Sequence, residues 1–395
     1  MLEKLTRTES LTIACATTVE QVDALRRDWL ELENMAPGAT LFQSWHWCAL
    51  GLKQMIERNG AGRGKPEVPH VYTVQENGRL IALLPLKVIP KKGRRILTGL
   101  AEPFQEFTDI LIAPHANPTA VFAALLPHIK GARADYVHFG QVRQDSSLYD
   151  AIKDDVPAMG ELDGAPFVDL TPFASFDRYH ATLKAKTRKN MRNRANKLTK
   201  TGPISHTLAN TPDEMQSLVQ RTFENRAEWL AARGLTSSSF GDRMFAEFLE
   251  SVTHRAGDER GFTVMGGTLR HGAVTLAEQW GPVYRGRYYA FMSGWNKDYV
   301  RASPGAMHLE HILRACFDAG LERAEFLLPR VAYKETWANE CVQVQDHILP
   351  LNARGWLFAH LWFDRARPAL KRVVYSMTPG VRRVVTGAAK LLGVR

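Results

Sequence analysis

The chain has 395 residues, of which 45% are hydrophobic and 9% aromatic, which excludes wholesale disorder and predicts two or three domains. Its formal charge of +10 favours an anionic partner, such as a nucleotide, coenzyme A, tRNA, a phosphorylated sugar carrier or an acidic membrane surface. The four cysteines are widely spaced and form no CxxC pair, so neither a disulfide framework nor a metal site is indicated. Without a signal peptide or an 18-residue apolar run, we expect a cytoplasmic protein with at most peripheral membrane contact.

The first part of the chain predicts an α/β unit. Apolar residues at helical spacing mark two opening helices, 19–34 and 41–52. A hairpin follows at Asn77-Gly78, where the pair suits a tight turn between strands 70–74 and 80–89. Strand, helix and strand then alternate at 107–112, 118–129 and 136–139. Residues 160–166 are predicted to be a linker because of their Gly and Pro content.

The second part predicts another unit with the same order of elements. Its helices are expected at 176–199, 213–233 and 242–254, before strands at 261–269, 273–283 and 287–293. A helix at 305–319, a strand at 324–328 and a short helix containing Tyr333 complete it. The sequence therefore predicts an internal repeat of architecture, with domains at 1–165 and 166–352 and a basic amphipathic tail at 353–395.

One candidate binding loop runs from Arg301 to Ala306 and opens a helix. Backbone N–H groups at a helix N-terminus suit an anion such as a pyrophosphate. Ser303 as N-cap and Pro304 as first helical residue would explain the same sequence without a ligand.

Two further segments could carry acid–base chemistry. The phenol of Tyr333 could protonate a leaving thiolate and Lys334 could hold a phosphate, although a surface helix with a buried Trp337 fits equally. Glu278, in an apolar strand, could act as general base for an amine, or could simply face solvent.

A dense run of positive charge favours anion binding in the second unit. Residues 184–197 contain Lys186, Arg188 and Arg192 among other basic residues and no acidic residue, and a merely solvated helix usually mixes both signs. His308 and His311 nearby lack HExxH spacing and are interpreted as residues of a polar helix face.

Several segments, taken in order, resemble one family over residues 19–351. They are LFQSWHW, IALLPLKV, the basic helix LKAKTRKNMRNRANKLTKTG, ENRAEWLAARG, SGWNKDYVRASPGAMHLEHILRACFDAG and AEFLLPRVAYKETWAN. The pattern resembles the CelD-type GNAT acetyltransferases, relatives of the FemAB peptidyl transferases. This resemblance implies an α/β (α+β) fold of two tandem GNAT-like acyltransferase units, with mixed, mostly antiparallel sheets flanked by helices.

The resemblance also implies a function. It suggests an acyltransferase that uses acetyl-CoA or another acyl-CoA, without a metal, on a small-molecule, lipid or sugar acceptor of the cell envelope or of polysaccharide synthesis. Arg301, Gly305 and Ala306 would bind the donor, although Pro304 replaces a glycine of the family pattern and removes one N–H. Glu278 would be the base and Tyr333 the acid, and backbone N–H groups near Ser293 would hold the oxyanion. The implied substrate contacts are Lys186, Arg188, Arg192, Lys334 and Trp337.

Two alternatives stay open. The chain could use aminoacyl-tRNA, as FemAB relatives do, with the basic helix on the phosphates. It could also be a catalytically inactive scaffold in polysaccharide biosynthesis, held at the inner face of an anionic membrane by its basic tail.

Overall fold

The computed structural model of the protein describes residues 11–62, 65–233, 243–254 and 261–377. It divides into two compact units. The first takes in residues up to Leu162 and also Val344–Lys371, and the second takes in Asp163–Gln343 together with the described residues from Arg372. The linear boundaries 1–165, 166–352 and 353–395 stay a prediction, and the division by contacts differs from them by returning Val344–Lys371 to the first unit.

Fourteen strands are present in the described part of the chain. They are β1 Leu11–Ala16, β2 Val68–Glu76, β3 Arg79–Lys91, β4 Arg94–Gly99, β5 Leu111–Ile112, β6 Tyr136–Arg143, β7 Ala158–Asp169, β8 Ile204–Leu208, β9 Thr263–His271, β10 Val274–Tyr284, β11 Arg287–Tyr289, β12 Met292–Trp295, β13 Arg323–Glu325 and β14 Glu340–Pro350. The predicted hairpin is confirmed, because β2 and β3 pair around Asn77, whose φ is 51°.

The α-helices of the same residues are α1 Val19–Ala24, α2 Arg26–Met35, α3 Trp45–Gly60, α4 Pro118–Lys130, α5 Ser147–Ile152, α6 Phe176–Thr182, α7 Ala185–Thr199, α8 Pro212–Ala232, α9 Arg243–His254, α10 Pro304–Asp318, α11 Ala332–Trp337, α12 Ala353–Phe358 and α13 Arg367–Ser376. A 3₁₀ turn, Lys297–Ala302, precedes α10, and a π-helix, Ala359–Ala366, joins α12 to α13.

Each unit builds its sheet on the same plan. In the first, the strand order is β1-β2-β3-β4-β6-β14, and in the second it is β7-β13-β11-β10-β9-β8. Every described pair is antiparallel except β4 with β6 and β11 with β13. The predicted fold class is therefore confirmed, including the repeat of architecture.

Helices cover these sheets through apolar faces. In the first unit Trp29, Leu32 and Phe122 are fully buried against the central strands. In the second unit Ile312 and Leu313 of α10 lie in one core with Tyr288 of β11. Burial of such side chains typically contributes about 1.5–3 kcal/mol each.

Three predictions about local structure are wrong. Residues 160–166 are not a linker but part of β7, in which Ala165, Phe167 and Val168 are buried. The basic helix predicted over 176–199 is two helices, because the chain is extended at Leu183. The helix predicted over 19–34 is interrupted at Leu25. Gly234, the expected end of the long second-unit helix, lies outside the described residues.

The C-terminal helix α12 is tied to the first unit by hydrogen bonds at its start. The side chain of Asn352 accepts from the Gly355 N–H at 2.9 Å and donates to Asp135 at 3.0 Å. Asp135 also accepts the N–H of Arg95 at 2.8 Å, so the helix start is joined to β4. Gly355 is buried here, and a Cβ at this position would collide with the Asp135 carbonyl oxygen.

We therefore expect Gly355→Ala to destabilise the first unit by roughly 2 kcal/mol, because the added methyl group must displace α12 or the chain at Asp135. Gly60→Ala is the matched control, since a Cβ there would meet no atom within 4 Å. Urea denaturation followed by circular dichroism measures both variants. Equal unfolding midpoints would show that α12 does not pack as described.

Candidate active site

Strand β12 of the second unit has a strand partner on one side only among the described residues. The parallel pair β11 and β13 runs in register from Arg287 with Arg323 to Tyr289 with Glu325, and the Ala290 N–H then donates to the Glu325 carbonyl at 2.8 Å. The next strand, β12, pairs only with β10 among the described residues. About half of the backbone groups of an edge strand point away from its partner. This edge contains Ser293, the predicted neighbour of the oxyanion.

The corresponding place in the first unit is filled by protein. The parallel pair β4 and β6 is in register only at Ile96 with Tyr136 and Leu97 with Val137. The chain after β4 then packs back, with the Thr108 N–H bound to the Gly140 carbonyl at 3.0 Å. Gln105 occupies the space beside Gly99, where a Cβ would collide with it. An extended ligand therefore has no free strand edge at this place in the first unit.

Glu278 lies beside the free edge and is held by one of its two oxygens. It pairs with Gly294 of β12 in the strand register and is 6% exposed. Its Oε1 atom accepts from Arg221 at 2.7 Å and from the Thr268 hydroxyl at 3.0 Å. None of its described contacts is made by Oε2. This geometry fixes the carboxylate and leaves one oxygen to accept a proton.

Helix α8 lies over the same strands and brings further polar groups. Asn225 donates to the Trp295 carbonyl at 3.4 Å, and its side chain occupies the space beside the Gly294 Cα. Arg226, one residue on, is close enough to Tyr333 to affect its titration. Partial burial raises the pKa of the Tyr333 phenol, and Arg226 opposes this rise. The phenol is therefore protonated at neutral pH, as a general acid must be.

Two residues of the predicted substrate set have internal partners. The buried ammonium of Lys334 donates to the Leu327 carbonyl at 2.9 Å, and Leu327 has a φ of 59°. Trp337 is 1% exposed and lies in the core of the unit, where its carbonyl accepts from the Tyr179 hydroxyl. Both residues fix the short helix that presents Tyr333. Their predicted role in substrate binding stays a prediction.

The predicted donor loop has one free backbone donor. Pro304 begins α10 and Ser303 is its N-cap residue, as predicted, but Ser303 has a φ of 51° and its side chain makes no capping hydrogen bond. The Ala306 N–H already donates to the Ser303 carbonyl at 3.0 Å, whereas no described partner accepts from the Gly305 N–H. A Cβ at Gly305 would meet no atom within 4 Å, and Arg301 is exposed. Arg301 and Gly305 can thus reach an anion, and Ala306 has its amide occupied.

The basic residues of α7 have no described carboxylate partner. Lys186 and Arg192 are exposed, and the Nε of Arg188 is buried without a hydrogen-bond acceptor among the described residues. The C-terminal part of α7 contacts the 3₁₀ turn that contains Arg301. Positive charge therefore extends from the donor loop along this helix.

Residues 185–335 match a family model described as an acetyltransferase (GNAT) domain. The second unit therefore carries a GNAT domain. Comparison with curated protein sequences finds no match.

Solved structures show where else this fold occurs. FemX superposes with a TM-score of 0.54 at 9% identity, over 81% of this chain and 95% of FemX. A tandem GNAT protein from the clavulanic acid biosynthesis pathway gives a TM-score of 0.46 at 13% identity, over 87% of this chain and 99% of that protein. The match to a GNAT model in the second unit and the fold shared with FemX confirm the predicted fold of two tandem GNAT-like units.

Sequence reasoning missed the α8 side chains that contact Glu278, β12 and Tyr333 in the candidate site. Arg221 and Thr268 hold Glu278, and Asn225 and Arg226 lie beside β12 and Tyr333. The segment ENRAEWLAARG carried part of the resemblance, but a pattern of residues alone does not show that α8 crosses β12.

Three histidines of the GNAT domain cluster between β8 and α10. The ring of His206 stacks on His311 at 4.7 Å and lies 5.1 Å from His308, measured between ring centres. Burial, reinforced by His311, lowers the pKa of His206 to about 4, and burial also holds the pKa of His308 well below its ordinary value. Arg314 adds to the lowering at His311. His308 is 1% exposed, so its interpretation as a polar-face residue is wrong.

In the described part of the chain, no group of three or more His, Cys, Asp or Glu could hold a metal ion.

These depressed pKa values predict a loss of stability in acid. Since the unfolded chain binds protons near pH 6.5 and the folded cluster does not, the free energy of unfolding should fall as the pH drops from about 6.5 towards 4, by roughly 2 kcal/mol. His206→Gln should flatten this dependence, and His128→Gln, at an exposed position on α4, should leave it unchanged. Urea denaturation at several pH values tests the difference, and parallel curves for the wild type and His206→Gln would refute it.

Proposed function

We propose that this protein is an acyl-CoA-dependent N- or O-acyltransferase that acts in the cytoplasm on a cell-envelope, polysaccharide or lipid precursor. The observation that carries the proposal is the position of Glu278 in the GNAT domain. Its carboxylate is fixed through one oxygen beside a strand edge that has no strand partner among the described residues. A fixed base next to free backbone donors is the arrangement that acyl transfer requires.

The donor would lie along the β12 edge with its phosphates at the start of α10. Arg301 and the Gly305 N–H are the groups free to bind a pyrophosphate, and the helix dipole favours negative charge there. Ala306 belongs to the predicted donor set, but its amide would have to exchange its bond to Ser303 for one to the ligand.

The reaction would proceed by direct attack. Oε2 of Glu278 takes the proton from an acceptor amine or hydroxyl as its nitrogen or oxygen bonds to the acyl carbon. The carbonyl oxygen becomes negative and is stabilised by backbone N–H groups near Ser293. The carbon–sulfur bond then breaks, and Tyr333 protonates the leaving thiolate to give free CoA. The acyl group moves from sulfur to the acceptor, Glu278 gains one proton and Tyr333 loses one, so the reaction needs neither a metal nor a redox partner.

Helix α7 would bind the anionic part of a substrate. Six basic residues and no acidic residue lie within Ala185–Thr199, and the Arg188 Nε lacks an acceptor in the described structure. A phosphate or carboxylate at Lys186, Arg188 and Arg192 would relieve the repulsion among them. The same observation favours a second candidate, an aminoacyl-tRNA-dependent transferase in which α7 contacts the RNA backbone.

Donor binding can be tested at Gly305 without disturbing the helix. Gly305→Asp places a negative charge where the phosphates would bind, yet an acidic residue suits the first turn of a helix. Isothermal titration with acetyl-CoA and a longer acyl-CoA should show micromolar binding to the wild type and at least a tenfold loss in Gly305→Asp and in Arg301→Ala.

Two control variants accompany this titration. Gly305→Ser adds a neutral side chain into open space and should retain binding, and Arg178→Ala removes an exposed arginine elsewhere in the second unit. No binding of either donor to the wild type would sink the acyl-CoA proposal. Salt-sensitive binding of tRNA would then support the second candidate, and binding of neither would favour the inactive scaffold.

Tyr333→Phe tests the proposed acid. We expect kcat to fall about 100-fold with little change in the KM for acyl-CoA, because only the proton transfer to sulfur is lost. CoA release with a panel of amine and sugar acceptors provides the measurement, and Tyr149→Phe in the first unit is the control. An unchanged kcat would remove Tyr333 from the mechanism.

A further inference from the structure

The C-terminal helical segment of the first unit is fixed in one orientation. Phe358 at the end of α12 stacks on Tyr136 with 5.1 Å between ring centres, and the guanidinium of Arg94 lies 3.8 Å from the centre of the Phe358 ring. Ala359 and Phe363 of the π-helix are buried in the cluster that contains Tyr136. Arg367 pairs with Asp346 of β14 at 3.2 Å. One side of the segment is therefore committed to the first unit.

The same segment also exposes large apolar side chains. Trp356 is 56% exposed, Leu357 52%, Leu361 50% and Leu370 45%. We call these four residues the outer face. Single exposed leucines are common on protein surfaces, but four large apolar residues on one short segment form a patch that normally has a partner. Since the inner side is anchored, the outer face cannot turn into the core.

The charge around the outer face identifies the partner. Residues 353–371 contain Arg354, Arg365, Arg367 and Lys371 against a single acidic residue, Asp364. Apolar side chains with a cationic surround suit the interface of an anionic bilayer, where the apolar groups enter the acyl boundary and the cations meet phosphate headgroups.

We propose that the outer face docks the protein on an anionic lipid bilayer, with Trp356, Leu357 and Leu361 inserted below the headgroups. Contact is made from one side, and no described helix is long and apolar enough to cross a membrane. This inference rests on the proposed function for its purpose, because it would bring the acyltransferase to an acceptor at the membrane surface. The docking itself is independent of catalysis.

Vesicle binding by the full-length protein tests the inference. Co-sedimentation should show binding to vesicles of phosphatidylcholine with phosphatidylglycerol and at least a tenfold weaker binding to phosphatidylcholine alone. The double variant Leu357→Glu with Leu361→Glu should reduce binding to the anionic vesicles at least tenfold. Arg365→Gln should reduce it about fivefold, as expected for one basic residue at an anionic surface.

Matched controls separate docking from misfolding and from catalysis. Leu162→Glu alters a leucine of the same unit that is 53% exposed but lies outside the outer face, and it should bind vesicles like the wild type. Acetyl-CoA titration of the double variant should match the wild type, so failure of docking and failure of the proposed function are distinguishable. The inference is overturned if the wild type does not bind anionic vesicles or if the double variant binds them equally. A dimer in analytical ultracentrifugation that Leu361→Glu abolishes would also overturn it and assign the face to a second copy.

Discussion

The site of this protein depends on the separation of two parallel strands. A parallel pair can share backbone hydrogen bonds only while its strands run side by side, and β11 and β13 do so for three residue pairs. Beyond Ala290 the chain continues as β12, which keeps its bonds to β10 and whose other edge pairs with no strand of the described residues. Backbone donors that fold formation does not consume are thereby available to a ligand. The first unit has the same parallel pair, but Gln105 and Thr108 occupy the place where its strands part. The two units thus share a strand order but differ at this edge, which protein covers in the first unit and no described strand covers in the second.

Around the open edge, polar side chains are held by partners that leave one reactive atom free. Arg221 and Thr268 both bind Oε1 of Glu278, which fixes the orientation of the carboxylate. The ammonium of Lys334 donates a hydrogen bond to the carbonyl of Leu327, a residue with a positive φ. This bond stabilises the turn before Tyr333. In this structure Lys334 therefore supports the helix of Tyr333, and its role in substrate binding stays a prediction.

The sequence could predict the features that depend on local pattern. Asn77-Gly78 indicated the first hairpin, and apolar spacing indicated α4, α8 and α10, because these signals lie within a few residues of each other. Sequence-based prediction failed where a strand pairs with a strand that is distant in the chain. Gly160 to Pro166 was predicted to be a linker, yet this segment belongs to β7, which pairs with β13 about 160 residues later. β14 was missed for a related reason, since β6, its described partner in the first unit, lies some 200 residues earlier. At the candidate site, the sequence could nominate Glu278, Tyr333 and Arg301 as residues with suitable chemistry. The contacts of Arg221 and Arg226 could not be predicted, because they depend on where α8 lies in the folded unit.

At the start of α10, Pro304 stands where the family pattern has a glycine, and neighbouring residues partly offset the loss of its N–H. Pro304 lacks the N–H that a glycine would supply to a bound phosphate, and Ala306 uses its own N–H within the chain. Ser303 adopts a left-handed conformation that costs a non-glycine residue about 1–3 kcal/mol, and such strain persists only where surrounding structure enforces it. The result is a helix start at which Gly305 keeps a free amide facing open space, next to the exposed Arg301 and near the positive charge of α7. With fewer backbone donors at this position, binding of a phosphorylated ligand would depend more on arginine and lysine side chains, and hence more strongly on ionic strength.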